Sequence, residues 1–354
     1  MPEAAESAPR RPAAAPRIAA FGEVMMRLET PGVRLLSQTD TLQVSYSGSG
    51  VNVLSGLSRF GYSALPVTTL PDNPIGDAAE ANLRKLGLLP DHIRREGANL
   101  GMYFLETGFG ARPSRVTYAN RAQSSFNTAG EGAYPFAQIA QSVDAVHFCG
   151  ISLAMNDTVR RSAVAFAEAL KAAGKTVVFD CNYRPALWGE GGYDKARPWY
   201  KRMLSLADLV MMNENDAMHV LGMPASAESR AERLAELIPE TAGHYAIGTI
   251  AGTHRGIEAD GRHSLAAFLY RGEPDRRFYW AEPLTFPVYD RIGAGDAYTS
   301  GILHGELSGW TPDRTVRFAA AASMLAHTVP GDTPFSSEAQ IVRAMTEGFG
   351  DIER

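Results

Sequence analysis

Short apolar segments alternate with helix-length stretches along most of this chain, and no other sequence feature constrains its fold as strongly. The apolar segments have the length of strands and occupy residues 17–21, 63–70, 144–150, 175–180, 207–213 and 244–250. Continuous apolar strands separated by amphipathic helices are typical of a mostly parallel sheet with helices on both faces. Because crossover connections are right-handed, the carboxyl ends of such strands meet at one edge, where ligands bind in open α/β sheets. The sequence therefore predicts an α/β fold with its ligand site at that edge.

The stretch after residues 144–150 predicts one of these helices in detail. Asn156 or Asp157 can cap its first turn, and Gly174 follows its last turn. Between the two ends, apolar residues recur with the helical period and predict one buried stripe, formed by Ala163, Phe166, Ala167 and Leu170.

Three segments break this rhythm, because they alternate apolar with polar residues and carry aromatic residues and threonine. They occupy residues 41–48, 101–107 and 114–120, and a turn-rich loop joins the last two. Such alternation is typical of antiparallel strands with one solvated face. We therefore predict a small β-sheet lid, formed by residues 25–48 and 100–121, on a single domain that spans residues 17–354.

Composition excludes several classes of function. Residues 1–16 are rich in Ala and Pro and lack the apolar core of a secretory signal, so we expect a disordered tail. No apolar run is long enough for a membrane helix, and we expect a cytoplasmic protein without a membrane partner. The net charge of -5 comes without a basic stripe, so we expect no nucleic-acid partner. Two cysteines, Cys149 and Cys181, are too few for a disulfide framework or a thiolate metal site.

The segment Gly293-Ala294-Gly295-Asp296 is the clearest candidate for chemistry. It follows a strand-like stretch that ends at Tyr289 and opens a helix. Glycines allow backbone N–H groups to face an anion, and the amino end of a helix adds positive potential. A carboxylate at such an anion hole would repel phosphate, unless it accepts a proton from the attacking hydroxyl during phosphoryl transfer. The alternative interpretation is an ordinary strand–turn–helix junction with Asp296 as the helix cap.

The chain has neither a phosphate-binding loop of the G-x-x-x-x-G-K type nor the motifs of protein kinases. Its segment DRIGAGDAY, residues 290–298, resembles the D-x-x-G-A-G-D-x-F signature of the ribokinase-like (PfkB) carbohydrate kinases. Further similar stretches are AFGEVMMRLETPG, GMYFLETGFGARPSRVTY, DCNYRPALW, MMNENDA and HTVPGD. The resemblance implies a ribokinase-like three-layer sandwich with a β-sheet lid. It also implies an ATP- and Mg²⁺-dependent kinase that phosphorylates the terminal hydroxyl of a keto-deoxy sugar acid such as 2-keto-3-deoxygluconate.

The resemblance assigns roles to individual residues. Asp296 would be the general base, and Arg184 and the N–H groups of residues 293–295 would stabilise the transferred phosphoryl group. The substrate would contact Gly48, Ser49, Gly50, Asn52, Tyr103, Tyr118 and Arg121. Segment 118–125 is one residue longer than the family pattern, so Arg121 or a neighbour takes the arginine position. An arginine there suits a carboxylate substrate.

The resemblance also implies a nucleotide site. Its residues would be Asn182, Arg184, Asn213, Glu214, Thr249, Gly252, Gly293, Gly295 and Asp332. Mg²⁺ would lie near Glu214, and Asp290 would hold a monovalent cation such as K⁺ or orient the signature loop. Asn213 has an alternative interpretation as a helix cap followed by first-turn acids.

Two alternatives to a sugar-acid kinase stay open at this point. One keeps the chemistry and changes the substrate to a neutral sugar, fructose or ribose, or to a nucleoside. The other is a sugar- or nucleotide-binding module without catalysis. We also expect a homodimer, because the edge strands of the lid can pair with a second copy through residues 41–48 and 101–120.

Overall fold

The computed structural model describes residues 15–346. Residues 1–14 of the predicted disordered tail lie outside this range. The strands are β1 Arg17–Phe21, β2 Met25–Glu29, β3 Gln43–Ser47, β4 Ser63–Leu70, β5 Ile93–Arg95, β6 Gly101–Glu106, β7 Arg115–Ala119, β8 Ala145–Cys149, β9 Thr176–Asp180, β10 Leu209–Met211, β11 Thr249–Ile257, β12 His263–Arg271, β13 Arg277–Trp280 and β14 Leu284–Phe286.

The helices alternate with these strands. They are α1 Ser49–Arg59, α2 Pro74–Lys85, α3 Phe136–Ser142, α4 Gly150–Leu153, α5 Asp157–Ala172, α6 Pro185–Trp188, α7 Gly192–Leu204, α8 Arg230–Tyr245, α9 Ala294–Leu307, α10 Pro312–Ala326 and α11 Glu338–Thr346. A 3₁₀ turn covers Leu36–Gln38, and a π-helical turn covers Asp216–Val220. Within residues 15–346, no helix is both long and apolar enough to cross a membrane.

The main sheet confirms the predicted α/β fold. Its strands follow the order β13-β12-β11-β10-β9-β8-β1-β4-β5, and β14 pairs with β12. Every pair from β11 through to β5 is parallel, whereas β12 is antiparallel to β11, β13 and β14. The parallel part directs the carboxyl ends of its strands to one edge, as the alternating pattern predicts.

Both faces of the main sheet are covered, which confirms the three-layer architecture. In β1, Ala19 and Phe21 pack into a core with residues of α3, α5, α7 and α8. The alternate residues Ile18 and Ala20 pack into a second core with residues of α1, α9 and α10. Continuous apolar strands are therefore required, because successive side chains enter opposite cores.

Helix α5 follows the sequence prediction. Asn156 caps it by accepting a hydrogen bond from the N–H of Val159, and Gly174 follows its end with φ of 68°. The predicted stripe, which comprises Ala163, Phe166, Ala167 and Leu170, is buried.

The lid is a separate four-stranded sheet in the order β3-β2-β6-β7. The outer pairs are antiparallel, but the central strands β2 and β6 are parallel. The three segments predicted as antiparallel strands, now β3, β6 and β7, each have an antiparallel neighbour, but the sequence did not predict the parallel central pair. The physical reason is that β2 and β6 follow the parallel strands β1 and β5, so both leave the main sheet from the same edge.

Two predicted strand boundaries were wrong. Residues 244–245 complete helix α8, and the following strand begins at Thr249 instead. The apolar run 244–250 was predicted as one strand because it is continuous, and Ile247, which precedes the strand, is buried in the same core as the strand residue Ile250. The strand before the signature turn ends at Phe286 and not at Tyr289. Pro287 follows it, and proline has no N–H to donate to a strand ladder.

Candidate active site

A cleft of about 840 Å³ lies between the carboxyl edge of the main sheet and the lid. Its floor is formed where β1, β8, β9 and β10 end, and Cys149 and Asp180 lie at two of these ends. Tyr103, Val116 and Tyr118 of the lid line the opposite side. The cleft is therefore at the position that the parallel strands predict.

The signature turn forms one wall of the cleft at the start of α9. Gly293 is the residue before the helix and has φ of 81°. A Cβ atom at this position would lie 1.7 Å from the carbonyl oxygen of Asp332, so the site requires glycine. Gly295 has open space around its Cα. The first N–H groups of α9 have no partner within the helix and are free to bind an anion.

Asp296 lies in the first turn of α9 and is not the helix cap, which is Gly293. Its side chain accepts hydrogen bonds from Ser49 Oγ at 2.7 Å and from Asn52 Nδ2 at 2.8 Å. The residue is 9% exposed. Burial raises the pKa of Asp296 to about 6, although the hydrogen bonds from Asn52 and Ser49 oppose the shift. A carboxylate with a raised pKa in a cleft is suited to accept a proton near neutral pH.

The predicted sugar segment lies beside this carboxylate. Helix α1 begins at Ser49, directly after β3, and this start brings both Ser49 and Asn52 to Asp296. A Cβ atom at Gly48 would lie 2.3 Å from the carbonyl oxygen of Glu23, and one at Gly50 would lie 2.9 Å from Ala20 Cβ. The glycines thus permit close packing between α1 and the chain around β1.

Two further carboxylates face the cleft from neighbouring strand ends. Burial and the nearby Asp296 raise the pKa of Asp180 to about 8, and burial raises the pKa of Asp216 to about 6. Asp216 accepts a hydrogen bond from the N–H of Asn213 at 2.9 Å, and neither acid has a salt bridge within residues 15–346. Arg184 lowers the pKa of both acids but forms no salt bridge with them within residues 15–346, and carboxylate oxygens that face a cleft in this way fit a hard cation. In the described chain, no group of three or more His, Cys, Asp or Glu is placed to hold a metal.

Glu214 does not have the position that the sequence predicts. It is buried outside the cleft, where Arg230 binds one carboxylate oxygen and His254 Nε2 lies 2.7 Å from the other. These hydrogen bonds lower the pKa of Glu214, although burial opposes the shift. The acid that faces the cleft from this segment is Asp216. Spacing could not separate the two acids, because the π-helical turn that begins at Asp216 decides which one faces inward.

Arg121 lines the cleft at the lid end, so the arginine of this segment faces the space that a ligand would occupy. Asn120, directly before Arg121, has φ of 53° and turns the chain. Arg121 Nε donates to Glu23 at 2.8 Å, and its guanidinium lies 4.7 Å from the ring centre of Tyr118. Asn127 Nδ2 also donates to Glu23, at 3.2 Å. Burial raises the pKa of Glu23, and the charge and hydrogen bond of Arg121 oppose the shift.

Asp332 joins the lid to the signature loop. Its carboxylate accepts hydrogen bonds from the hydroxyl of Ser47 at 2.7 Å and from the hydroxyl of Tyr103, and it pairs with Arg27. Its backbone packs against Gly293. This residue was predicted to bind the nucleotide, but its side-chain partners come from the lid strands and the end of β3.

Arg27 was not singled out by sequence reasoning. It is 1% exposed and is surrounded by three carboxylates, those of Glu29 at 2.7 Å, Asp290 at 3.0 Å and Asp332. The available signal was a lone arginine in the strand MMRLE, between apolar residues. Burying a guanidinium requires such partners.

The same contacts bear on the predicted cation at Asp290. Its two oxygens accept from the N–H of Ile292 at 3.1 Å, the N–H of Gly331 at 3.2 Å and the guanidinium of Arg27. The chain therefore supplies its own positive charge to Asp290, and this donor set does not fit a monovalent cation. The second predicted role, orienting the signature loop, agrees with the bonds to Ile292 and Gly331.

The predicted nucleotide residues divide into two groups. Asn182, Arg184, Asn213 and Gly252 line the cleft. Thr249 does not, because its hydroxyl accepts a hydrogen bond from Arg271 at 2.6 Å, and Arg271 binds Glu306 through both terminal nitrogens. Two cleft residues, Arg255 and Arg291, were missed by sequence reasoning.

Comparison with known proteins places these observations in a family. A family model described as pfkB family carbohydrate kinase matches residues 15–247 and 275–339. A solved structure of a candidate 2-keto-3-deoxygluconate kinase from Enterococcus faecalis is 36% identical, with a TM-score of 0.91, over 96% of this chain and 99% of the other. A solved 2-dehydro-3-deoxygluconokinase from Thermotoga maritima is 31% identical, with a TM-score of 0.87, over 94% and 99%.

A curated relative agrees with these structures. It is the 2-dehydro-3-deoxygalactonokinase of Haloferax volcanii, which is 28% identical over 334 residues, or 94% of this chain and 98% of the relative.

Proposed function

This chain belongs to the pfkB family of carbohydrate kinases, which are ATP-dependent phosphotransferases, and we propose that it phosphorylates the terminal hydroxyl of a 2-keto-3-deoxy sugar acid. The acceptor that we expect is 2-keto-3-deoxygluconate, and the product is its 6-phosphate. The names of the relatives from Enterococcus faecalis, Thermotoga maritima and Haloferax volcanii support an acceptor of this class.

In the proposed reaction, Asp296 takes the proton of the acceptor hydroxyl. The hydroxyl oxygen then forms a bond to the γ-phosphorus, while the bond from that phosphorus to the β–γ bridging oxygen breaks. ADP leaves with the electron pair of that bond. Ser49 and Asn52 support this role, since each donates a hydrogen bond to a different oxygen of Asp296 and thereby fixes the carboxylate.

The charge that develops on the γ-phosphoryl oxygens needs positive partners in place before the reaction. The free N–H groups at the start of α9, from Gly293 to Gly295, would supply hydrogen bonds to these oxygens. Arg184 lines the cleft from the end of β9 and would add a full positive charge. Asp180 and Asp216 would hold the Mg²⁺ of Mg·ATP, which supplies further positive charge against the phosphates.

The main support for an acceptor with a carboxylate is the hydrogen bonding of the Arg121 guanidinium. Its Nε is engaged by Glu23, and within residues 15–346 neither of its terminal nitrogens makes a hydrogen bond. A guanidinium held in this way offers a two-nitrogen edge that matches a carboxylate. Its side chain is largely buried under the lid, so a neutral sugar would leave these donors without an equivalent partner.

The test is an ADP-release assay with purified protein and Mg·ATP across a panel of acceptors. The panel contains 2-keto-3-deoxygluconate and 2-keto-3-deoxygalactonate, their neutral counterparts fructose and ribose, and a nucleoside. We expect turnover with the keto-deoxy acids and at least a hundredfold lower kcat/KM with the neutral acceptors. Equal efficiency with fructose or ribose would contradict the proposed acceptor class.

We also propose that the protein is a homodimer that associates through its lid. In the lid order, β3 and β7 are the two edge strands, whose outer backbone groups can pair with a second copy. Val44 of β3 is 56% exposed and lies beside Leu28, which lies beside Phe104, so an apolar row crosses the lid. Light scattering at micromolar concentration should give the mass of a dimer. Val44→Lys should shift it to a monomer, whereas Ile257→Lys, at a still more exposed apolar site on β11, should not. A monomeric wild type would contradict the proposal.

A further inference from the structure

Three of the arginines that line the cleft form no salt bridge with any residue that the structure describes. Arg184 follows β9, Arg255 lies on β11, and Arg291 lies in the loop before α9. Within residues 15–346, Arg255 and Arg291 make neither a salt bridge nor a side-chain hydrogen bond, and Arg184 donates one bond to the carbonyl of Tyr183 at 3.3 Å. The remaining cleft arginine, Arg121, differs because it is held by Glu23.

These arginines come from three different elements but influence one another. Partial desolvation in the cleft, followed by the guanidinium groups of Arg291 and Arg184, lowers the pKa of Arg255. Desolvation, followed by the guanidinium groups of Arg291 and Arg255, also lowers the pKa of His263, which pairs with Phe286. All three side chains are exposed to solvent at the cleft, but like charges gathered at one site still repel each other, and an anion bound between them would relieve this repulsion.

The charge of the cleft is divided. Asp180, Asp216 and Asp296 form an acidic floor, whereas Arg255 and Arg291 approach from β11 and from the loop that leads to Gly293. Arg291 stands two residues before Gly293, where the anion-binding turn begins. This arrangement suits a ligand that carries both a metal ion and a chain of phosphates. The carboxylates can bind the metal ion, and the arginines can bind the phosphates.

We propose that Arg255 and Arg291 form a clamp that binds the β- and γ-phosphates of the nucleotide. This inference rests on the proposed phosphoryl transfer from Mg·ATP but not on which sugar acid accepts the phosphoryl group. Arginine suits the role because its planar fork can hold two phosphate oxygens at once. The acceptor's carboxylate is not the expected ligand, because Arg121 already serves that function at the lid end.

The test measures nucleotide binding without any acceptor, by titration calorimetry with ATP, ADP and AMP in the presence of Mg²⁺. The variants are Arg255→Ala, Arg291→Ala and the double substitution. Each single loss should weaken ATP binding roughly tenfold to a hundredfold, as expected for one charge-assisted contact. Binding of ADP should weaken less than binding of ATP. AMP should bind each variant as tightly as it binds the wild type. Arg255→Lys should recover part of the affinity.

Arg262→Ala is the matched control, because Arg262 lies in the same β11–β12 hairpin and is exposed like Arg255, but it lies outside the cleft and pairs with Asp260. It should bind all three nucleotides as the wild type does. Thermal unfolding of each variant shows whether the protein still folds.

Two results overturn the clamp. In one, the affinity for AMP falls as much as the affinity for ATP, which indicates that the arginines shape the pocket and do not bind phosphate. In the other, ATP affinity is unchanged while the KM for the sugar acid rises, which assigns the arginines to the acceptor. If the acceptor panel instead fails to yield turnover while ATP affinity depends on Arg255 and Arg291, the clamp stands and the proposed acceptor falls.

Discussion

The side-chain amide of Asn52 donates a hydrogen bond to Oδ2 of Asp296 over 2.8 Å, although 244 positions separate the two residues. Each lies in the first turn of its helix, Asn52 in α1 and Asp296 in α9. The two helices therefore start at the same point of the cleft, and both direct their positive ends toward one carboxylate. This meeting holds Asp296 ionised and oriented despite its burial.

Replacing Asp296 with Asn tests its role as the base. The amide is nearly the same size but cannot accept the proton, so kcat should fall by roughly 10²–10⁴. ATP affinity and the unfolding midpoint should stay close to the wild-type values. Asp313→Asn, at an exposed first-turn acid of the next helix, is the matched control and should leave kcat unchanged. Turnover near the wild-type rate in Asp296→Asn would remove this residue from the mechanism.

The raised pKa of Asp296 predicts how activity depends on pH. The base acts only when ionised, and burial places its pKa at about 6. At saturating Mg·ATP, kcat/KM for the sugar acid should therefore be level above that pH and fall about tenfold per unit below it. A rate that is unchanged between pH 7 and pH 5 would show that the base has an ordinary carboxylate pKa.

His147 predicts a loss of stability in mild acid. It is buried in β8, where neither ring nitrogen has a hydrogen-bond partner among residues 15–346, and burial lowers its pKa from 6.5 to about 4. The unfolded chain binds a proton below 6.5 and the folded chain does not, so stability is full above that pH and declines toward pH 4. The difference from this one group reaches about 2 kcal/mol at pH 5.

Denaturant unfolding at pH 7 and pH 5 measures this effect. His147→Leu should reduce the change in unfolding free energy between the two pH values by that amount. His244→Leu, at an exposed histidine, should leave the change as it is. If both variants match the wild type, the titration of His147 does not contribute.

The contacts of Arg27 predict that the enzyme does not need K⁺. Arg27 already places a positive charge 3.0 Å from Asp290. Replacing K⁺ with tetramethylammonium at constant ionic strength should therefore change kcat less than about twofold, a small change on the scale of 1.4 kcal/mol per tenfold in rate. In Arg27→Met the charge is lost, so activation by K⁺ should appear in that variant alone. Strong activation of the wild type by K⁺ would contradict this account of Asp290.

The fold could be predicted because its determinants are local. The apolar runs gave the parallel strands, and the spacing from Asn156 to Gly174 gave helix α5. The errors arose where local pattern is ambiguous. An apolar run such as 244–250 suits either the end of a buried helix or a strand, and only packing decides between them.

The site was predicted only in part, because its pairings are distant in the chain. Arg27 and Asp332 are 305 positions apart, and no spacing rule connects them. The two acids Glu214 and Asp216 are neighbours in sequence, yet Arg230 and His254 engage one of them outside the cleft. Glycine-rich turns are easier to predict, since a position such as Gly293 excludes every other residue by its close approach to Asp332.

The acceptor class depends on Arg121, and comparing two acceptors in two proteins tests it most directly. The quantity is the ratio of kcat/KM for 2-keto-3-deoxygluconate to kcat/KM for fructose, measured in the wild type and in Arg121→Ala. We predict a wild-type ratio of at least a hundred and a fall of roughly tenfold to a hundredfold in the variant, as one charge-assisted hydrogen bond is worth about 1.5–3 kcal/mol. The KM for ATP should not change. A wild-type ratio near one, or a ratio that Arg121→Ala leaves unchanged, would contradict a sugar-acid kinase that recognises its substrate through this arginine.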